Sequence, residues 1–127
     1  MAKLEASLLF LGGAINFLPL LGVLSASRLS QAYGIEVAGS DLEILLRHRA
    51  LLFGLVGGFV FYSLFVPHYQ SASMVLAGIS MVGFLVLCWW VGDYNRELHK
   101  ILMADVVGLV CLAGAVACRW WSASGAQ

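Results

Sequence analysis

The chain has 127 residues, of which 61% are hydrophobic and 11% charged, with seven basic side chains balanced by seven acidic ones. A soluble domain keeps roughly a quarter of its residues charged. A mean hydropathy of +0.93 therefore excludes that class and points to an integral membrane protein surrounded by lipid, with no nucleic acid expected as partner.

The first apolar segment covers 4–24. Lys3 ahead of it and Ser25, Ala26 and Ser27 behind it have the form of a secretory signal. The run exceeds the roughly 7–15-residue core of a signal and is read as a retained span. Pro19 inside it predicts a kink near Asn16. The second apolar segment, 50–66, is preceded by Ser40, Asp41, Leu42 and Glu43, the S-x-x-E form of a capping box, so this helix starts before the membrane does. Pro67 ends it, because proline disfavours the helical conformation of the residue before it.

The third segment is 74–91 and the fourth 101–117, with Asn95 the expected start of the last helix. Trp89, Trp90 and Tyr94 at one end of the third and Trp120 and Trp121 at the end of the fourth have the character of interfacial anchors. Each segment approaches the roughly 20 residues that cross a ~30 Å hydrocarbon core. Spans at about 4–24, 44–66, 72–91 and 98–119 are joined by the links 25–39, 67–73 and 92–97. Links this short make successive helices antiparallel, giving an all-α polytopic membrane protein, a four-helix transmembrane bundle in one domain over 1–127.

An even number of spans puts both termini on one side, with Lys3 and Arg119. The opposite side holds Arg28, Arg47, Arg49, Arg96 and Lys100. By the positive-inside rule the regions 25–40 and 92–97 are cytoplasmic and both termini outside, in a bacterial inner membrane.

The few polar residues carry the functional reading. In the second helix Arg47, Leu51, Gly54 and Gly58 lie at offsets of 0, 4, 7 and 11. At ~100° per residue that keeps them within about 40° of one another. Gly54 and Gly58 form a GxxxG pattern, which lets another helix approach closely. Arg47 is accordingly expected to face the seam, and Arg49, about 200° away, to reach back to headgroups. In the fourth helix Asp105 lies roughly 15 Å from Asn95, and an aspartate at that depth is expected to face inward toward a partner. Arg47 is the first choice, with Asn16, His48 and His99 as further members of the network and Glu43 as a second acid for Arg47 through an i, i+4 contact.

Such a network either holds helices together or binds a ligand. A guanidinium recognises carboxylate or phosphate through its fork of donors, and Phe53, Tyr62, Phe84 and Trp90 offer room for an apolar tail. The leading reading is an amphiphilic anion held near the cytoplasmic side by Arg47, Asp105 and Asn16. A redox reading has His48 and His99 ligating haem across the bundle, or a linked quinone. A third has the chain as a structural subunit of a membrane complex. Transport would need chains to associate into a homo-oligomer. Cys88, Cys111 and Cys118 form no C-x-x-C and read as packing residues, and no metal or cofactor is expected. Phosphate-binding and hydrolase motifs do not occur.

The stretches LLRHRALLFGLVGGFVFY, INFLPLLGVLS and YNRELHKILMADVVGL together resemble a group of uncharacterised small bacterial inner-membrane proteins and, more distantly, the DoxX-like four-helix families. The resemblance spans nearly the whole chain and implies the same four-helix fold without assigning an activity. Similar sequences are sometimes labelled phosphopantetheine adenylyltransferase. The chain has no H-x-G-H motif, and a helical bundle lacks the parallel-sheet crevice of that chemistry.

Overall fold

The computed structural model describes residues 2–125 and contains, among them, five α-helices and no strand. They are α1 (Ala2–Phe17), α2 (Ala26–Tyr33), α3 (Ser40–Phe65), α4 (Gln70–Val91) and α5 (Arg96–Ser124). Four stretches are long and apolar enough to span a bilayer, Ala2–Leu24, Ser40–Phe65, Pro67–Val91 and Arg96–Ser124. In none is more than 33% of the most apolar window buried inside the bundle, so most of that apolar surface faces outward and requires lipid. The chain is a multi-pass, all-α membrane protein.

The first span is composite. α1 stops at Phe17 and the chain continues to Leu24 as a 3₁₀ helix with Pro19 in its first turn. Proline has no N–H to give to a carbonyl one turn back, and the tighter winding takes up the mismatch. The expected kink is thus a change of helix type, and it narrows the first span beside α2.

Two expected local features differ. The Ser40 capping box does not form: Gly39, at φ +87°, is the cap of α3, and no side chain bonds the helix start there. The link 25–39 is not a plain loop, because α2 lies within it. Ser25 caps α2 by accepting from the N–H groups of Ser27 and Arg28, and Gly34 ends it at φ +62°, a left-handed conformation that glycine adopts without strain.

The core is built from Leu9, Val60, Met74, Ala77, Met81, Leu112 and Ala115, contributed by all four spans. Helix approach is closest at Gly57. A Cβ placed there would lie 2.6 Å from the Phe17 nitrogen and 2.7 Å from the Gly13 carbonyl oxygen, both backbone atoms of the first span. Of the expected packing pair, Gly54 is buried against the first span, whereas Gly58 has no close neighbour, and the closest backbone approach is at Gly57 instead. A Cβ at Gly54 would lie 2.5 Å from the Leu20 side chain, which can give way as backbone cannot, and one at Gly58 finds only a Phe17 ring carbon at 4.0 Å.

At the end of the bundle carrying the N-terminus, Arg119 donates to Gln70 Oε1 at 2.7 Å and stands 3.7 Å from Glu5, joining α5 to α4 and α1. One turn deeper Ser73 donates to Ser63 Oγ at 2.9 Å, both residues fully buried. Trp120 and Trp121 lie exposed at this end, and Trp89 and Trp90 at the other. The aromatic pairs bracket the apolar span as interfacial anchors do. All three cysteines are buried and unbonded to one another.

Candidate functional site

A cavity of about 540 Å³ lies at the arginine-rich end, bounded by the 3₁₀ half of the first span, α2, α3 and α5. Its polar lining comes chiefly from Arg28, Gln31, Tyr33, Arg49 and Asp105, and most of the remaining wall is apolar, including Leu18, Leu21 and Phe53. Leu18 and Leu21 are themselves more than half exposed on the outside of the bundle. The cavity wall is therefore continuous with the surface that meets acyl chains.

Arg49 is its central group. Its guanidinium carbon sits 4.8 Å from the ring centre of Phe84, 5.1 Å from Phe53 and 5.3 Å from Tyr33. A guanidinium over an aromatic face gains from about 0.5 to 2 kcal/mol per desolvated contact. Such contact does not use the five N–H donors that the guanidinium carries along its edge. No carboxylate lies within 4 Å of Arg49 among the described residues, where the only side-chain ion pairs are Arg47–Glu43, Lys100–Glu97 and Arg119–Glu5. A second cavity of about 370 Å³, lined by Ser80, Gly83, Phe84 and Leu87, opens on the other side of Arg49 and Phe53. Arg49 thus stands in the partition between two spaces.

Asp105 is 6% exposed, and its Oδ2 has no hydrogen-bond partner among the described residues. It belongs to the same cavity wall as Arg49, whose positive field acts on it. The inward orientation expected of Asp105 is what the structure has. The expected partner is not. Arg47 is paired through Nη2 with Glu43 one turn earlier on α3, is 39% exposed along its side chain and does not line the cavity.

The reason lies in which face of α3 looks at the bundle centre. Arg49, Phe53, Val56 and Val60 have the same 0, 4, 7, 11 spacing as the Arg47 stripe. Phe53 and Val56 are half-buried, Val60 is fully buried, and Val60 and Val56 belong to the core or pack on it. The glycine-bearing side of α3 receives the first span alone, so it marks the approach of one neighbour rather than the middle of four.

The remaining candidates scatter. Asn16 is buried and donates to the Gly12 carbonyl at 3.2 Å, but it is outside the cavity lining. His48 is exposed on α3. His99 is exposed on α5, its ring stacked on Tyr94 at 6.2 Å and 9°. Neither histidine lines the cavity, and among the described residues no three His, Cys, Asp or Glu side chains converge as a metal site. Of the aromatics, Phe53 and Phe84 border the two cavities, while Tyr62 and Trp90 are exposed.

Sequence reasoning missed the roof of the cavity. Asn95 donates to the carbonyls of Tyr33 at 2.7 Å and Gly34 at 3.1 Å, while its Oδ1 accepts from Leu98 N at 2.8 Å. One side chain caps α5 and holds the end of α2, which seats Tyr33 over Arg49. Gly34 passes so close that a Cβ there would lie 2.8 Å from Glu97 Cγ. Asn95→Ala is expected to remove a cap worth about 1 kcal/mol and to release α2. Backbone amide exchange should then rise across Ala26–Tyr33 and stay slow in the spans. Unchanged exchange in α2 would show that something other than Asn95 holds it.

Comparison with family models, with curated proteins and with solved structures gives no match. The functional reading therefore rests on the geometry of the cavity.

Proposed function

We propose that the chain is an inner-membrane protein of bacterial type that binds an amphiphilic anion, with the headgroup on Arg49 and the tail along Phe53, Leu18 and Leu21. One observation carries this reading. Arg49 is held in place by three aromatic rings, yet its donors meet no carboxylate of the chain. A guanidinium in a largely apolar setting is stable only where its donors find acceptors, and a carboxylate or phosphate entering the cavity supplies them in bidentate geometry. Volume is consistent, since ligand cavities span about 300–1,000 Å³.

The exposed outer faces of Leu18 and Leu21 favour an amphiphile over a soluble anion, because the route into the cavity passes acyl chains. Arg28, Arg47, Arg49, Arg96 and Lys100 all belong to the end where the cavity lies. On the positive-inside rule the ligand comes from the cytoplasmic leaflet and both termini are outside.

The test is extraction into lipid-retaining polymer discs followed by mass spectrometry of the lipids that remain after further purification. An acidic amphiphile retained in stoichiometric amount, above its share of the surrounding membrane, is expected. Retained lipid with the bulk composition would refute the reading.

A further inference from the structure

The anion proposed above accounts for Arg49 but leaves Asp105, in the same cavity lining, unexplained. Asp105 is more than nine-tenths buried within a span and lines the same space. Its Oδ2 accepts no hydrogen bond among the described residues. Buried carboxylate oxygens are strongly driven to find donors, and an anion alone would repel this one. The occupant must therefore present a donor toward α5 as well as acceptors toward α3.

Charge decides among the headgroups that do both. The cavity lining holds Arg28 and Arg49 with one carboxylate, Asp105, a net single positive charge. A zwitterionic aminophospholipid would leave that charge uncompensated. A phosphodiester that ends in hydroxyls cancels it and still donates to Asp105.

We infer that the ligand is a lipid with a phosphopolyol headgroup of the phosphoglycerol kind, its phosphate oxygens accepting from Arg49 and a hydroxyl donating to Asp105. This rests on the reading that the cavity is an anion site, and it names which anion. Asp105 then acts as the selecting residue, recognising the part of the headgroup that distinguishes one acidic phospholipid from another.

The experiment measures binding of defined lipids to the full-length protein in discs of phosphatidylcholine, by native mass spectrometry. Phosphatidylglycerol is set against phosphatidylmethanol, which carries the same phosphodiester charge without a hydroxyl, and against phosphatidylethanolamine. The wild type is expected to prefer phosphatidylglycerol over phosphatidylmethanol about tenfold or more, the scale of a hydrogen bond to a charged group. Asp105→Leu should bring the two together while keeping both above phosphatidylcholine.

Equal binding of phosphatidylglycerol and phosphatidylmethanol by the wild type would overturn the role of Asp105 and leave the anion site standing. Failure of both to exceed phosphatidylcholine would overturn the anion site itself. Tighter binding of phosphatidylethanolamine would replace the phosphopolyol with a zwitterion. Displacement of the lipid by equimolar free glycerol phosphate would show that a soluble anion, not a lipid, is the occupant. The lipid series on the wild type decides the matter even if Asp105→Leu fails to fold.

Discussion

Arg49→Gln is expected to lower retention of an acidic amphiphile about ten- to a hundredfold, corresponding to the ~1.5–3 kcal/mol of a hydrogen bond to a charged group. Arg47→Gln should leave retention within twofold of wild type. The two residues are separated by one position and have equal formal charge, so a general electrostatic attraction to the membrane surface would weaken equally in both variants. The structure sets them apart. Arg47 is paired through Nη2 with Glu43 on its own helix, its Nε is buried without a partner among the described residues, and it lines neither cavity, whereas Arg49 lies among Tyr33, Phe53 and Phe84 at the cavity wall. Arg49→Lys adds a finer distinction. It keeps the charge but loses the planar fork and the ring stacking, and an ammonium at such a site is not a conservative replacement. An intermediate loss is expected. The measurement is the ratio of bound acidic lipid to protein across the variants at equal purification.

Gly57→Ala is the change expected to damage the fold most. Alanine is the better helix former by about 1 kcal/mol, so in open space the substitution would stabilise α3. At Gly57 the new methyl would sit 2.6 Å and 2.7 Å from backbone atoms of Phe17 and Gly13, and backbone cannot rotate away as a side chain does. α1 and α3 must separate, and overpacking of this kind typically costs ~1–3 kcal/mol. Gly58→Ala, whose methyl finds only a ring carbon at 4.0 Å, should be neutral or slightly stabilising. Thermal unfolding in detergent, read as midpoint and as the fraction remaining monodisperse, compares the two adjacent positions directly. A lower midpoint for Gly58→Ala than for Gly57→Ala would mean that the helices cross elsewhere.

The span architecture was legible in the sequence because it depends on quantities a sequence displays: apolar runs of bilayer length, short links and tryptophans at the ends. Asn95 as the start of the last helix and Asp105 as an inward-facing group were readable for the same reason, one from capping chemistry and the other from the cost of an exposed charge in hydrocarbon. The facing of α3 was not. Its sequence holds two stripes of identical spacing, Arg47-Leu51-Gly54-Gly58 and Arg49-Phe53-Val56-Val60, and helical periodicity alone treats them alike.

The signal that separates the stripes is bulk. Phenylalanine and valine fill a four-helix centre, while glycines admit a single close neighbour. The helix Ala26–Tyr33 was overlooked because it is too short to span and too polar to resemble the other elements. Its signature is local: Ser25 as a cap, Leu29 and Tyr33 as the buried side, Gly34 as the stop. Hydrogen bonds from Asn95 to the end of that helix connect residues 61 and 62 positions apart, and no local pattern announces them.

The most direct test of the account is a solid-state magnetic resonance measurement of dipolar contact between ¹⁵N-labelled arginine guanidinium and lipid ³¹P. The protein is held in discs of phosphatidylcholine containing a minor fraction of phosphatidylglycerol. A guanidinium–phosphorus contact at hydrogen-bonding range is predicted that appears only when phosphatidylglycerol is added to phosphatidylcholine discs, is lost in Arg49→Gln and is intact in Arg47→Gln. A phosphatidylglycerol-dependent contact that survives the loss of Arg49, or that vanishes with Arg47 instead, would contradict the assignment of the cavity as the place where the anion binds.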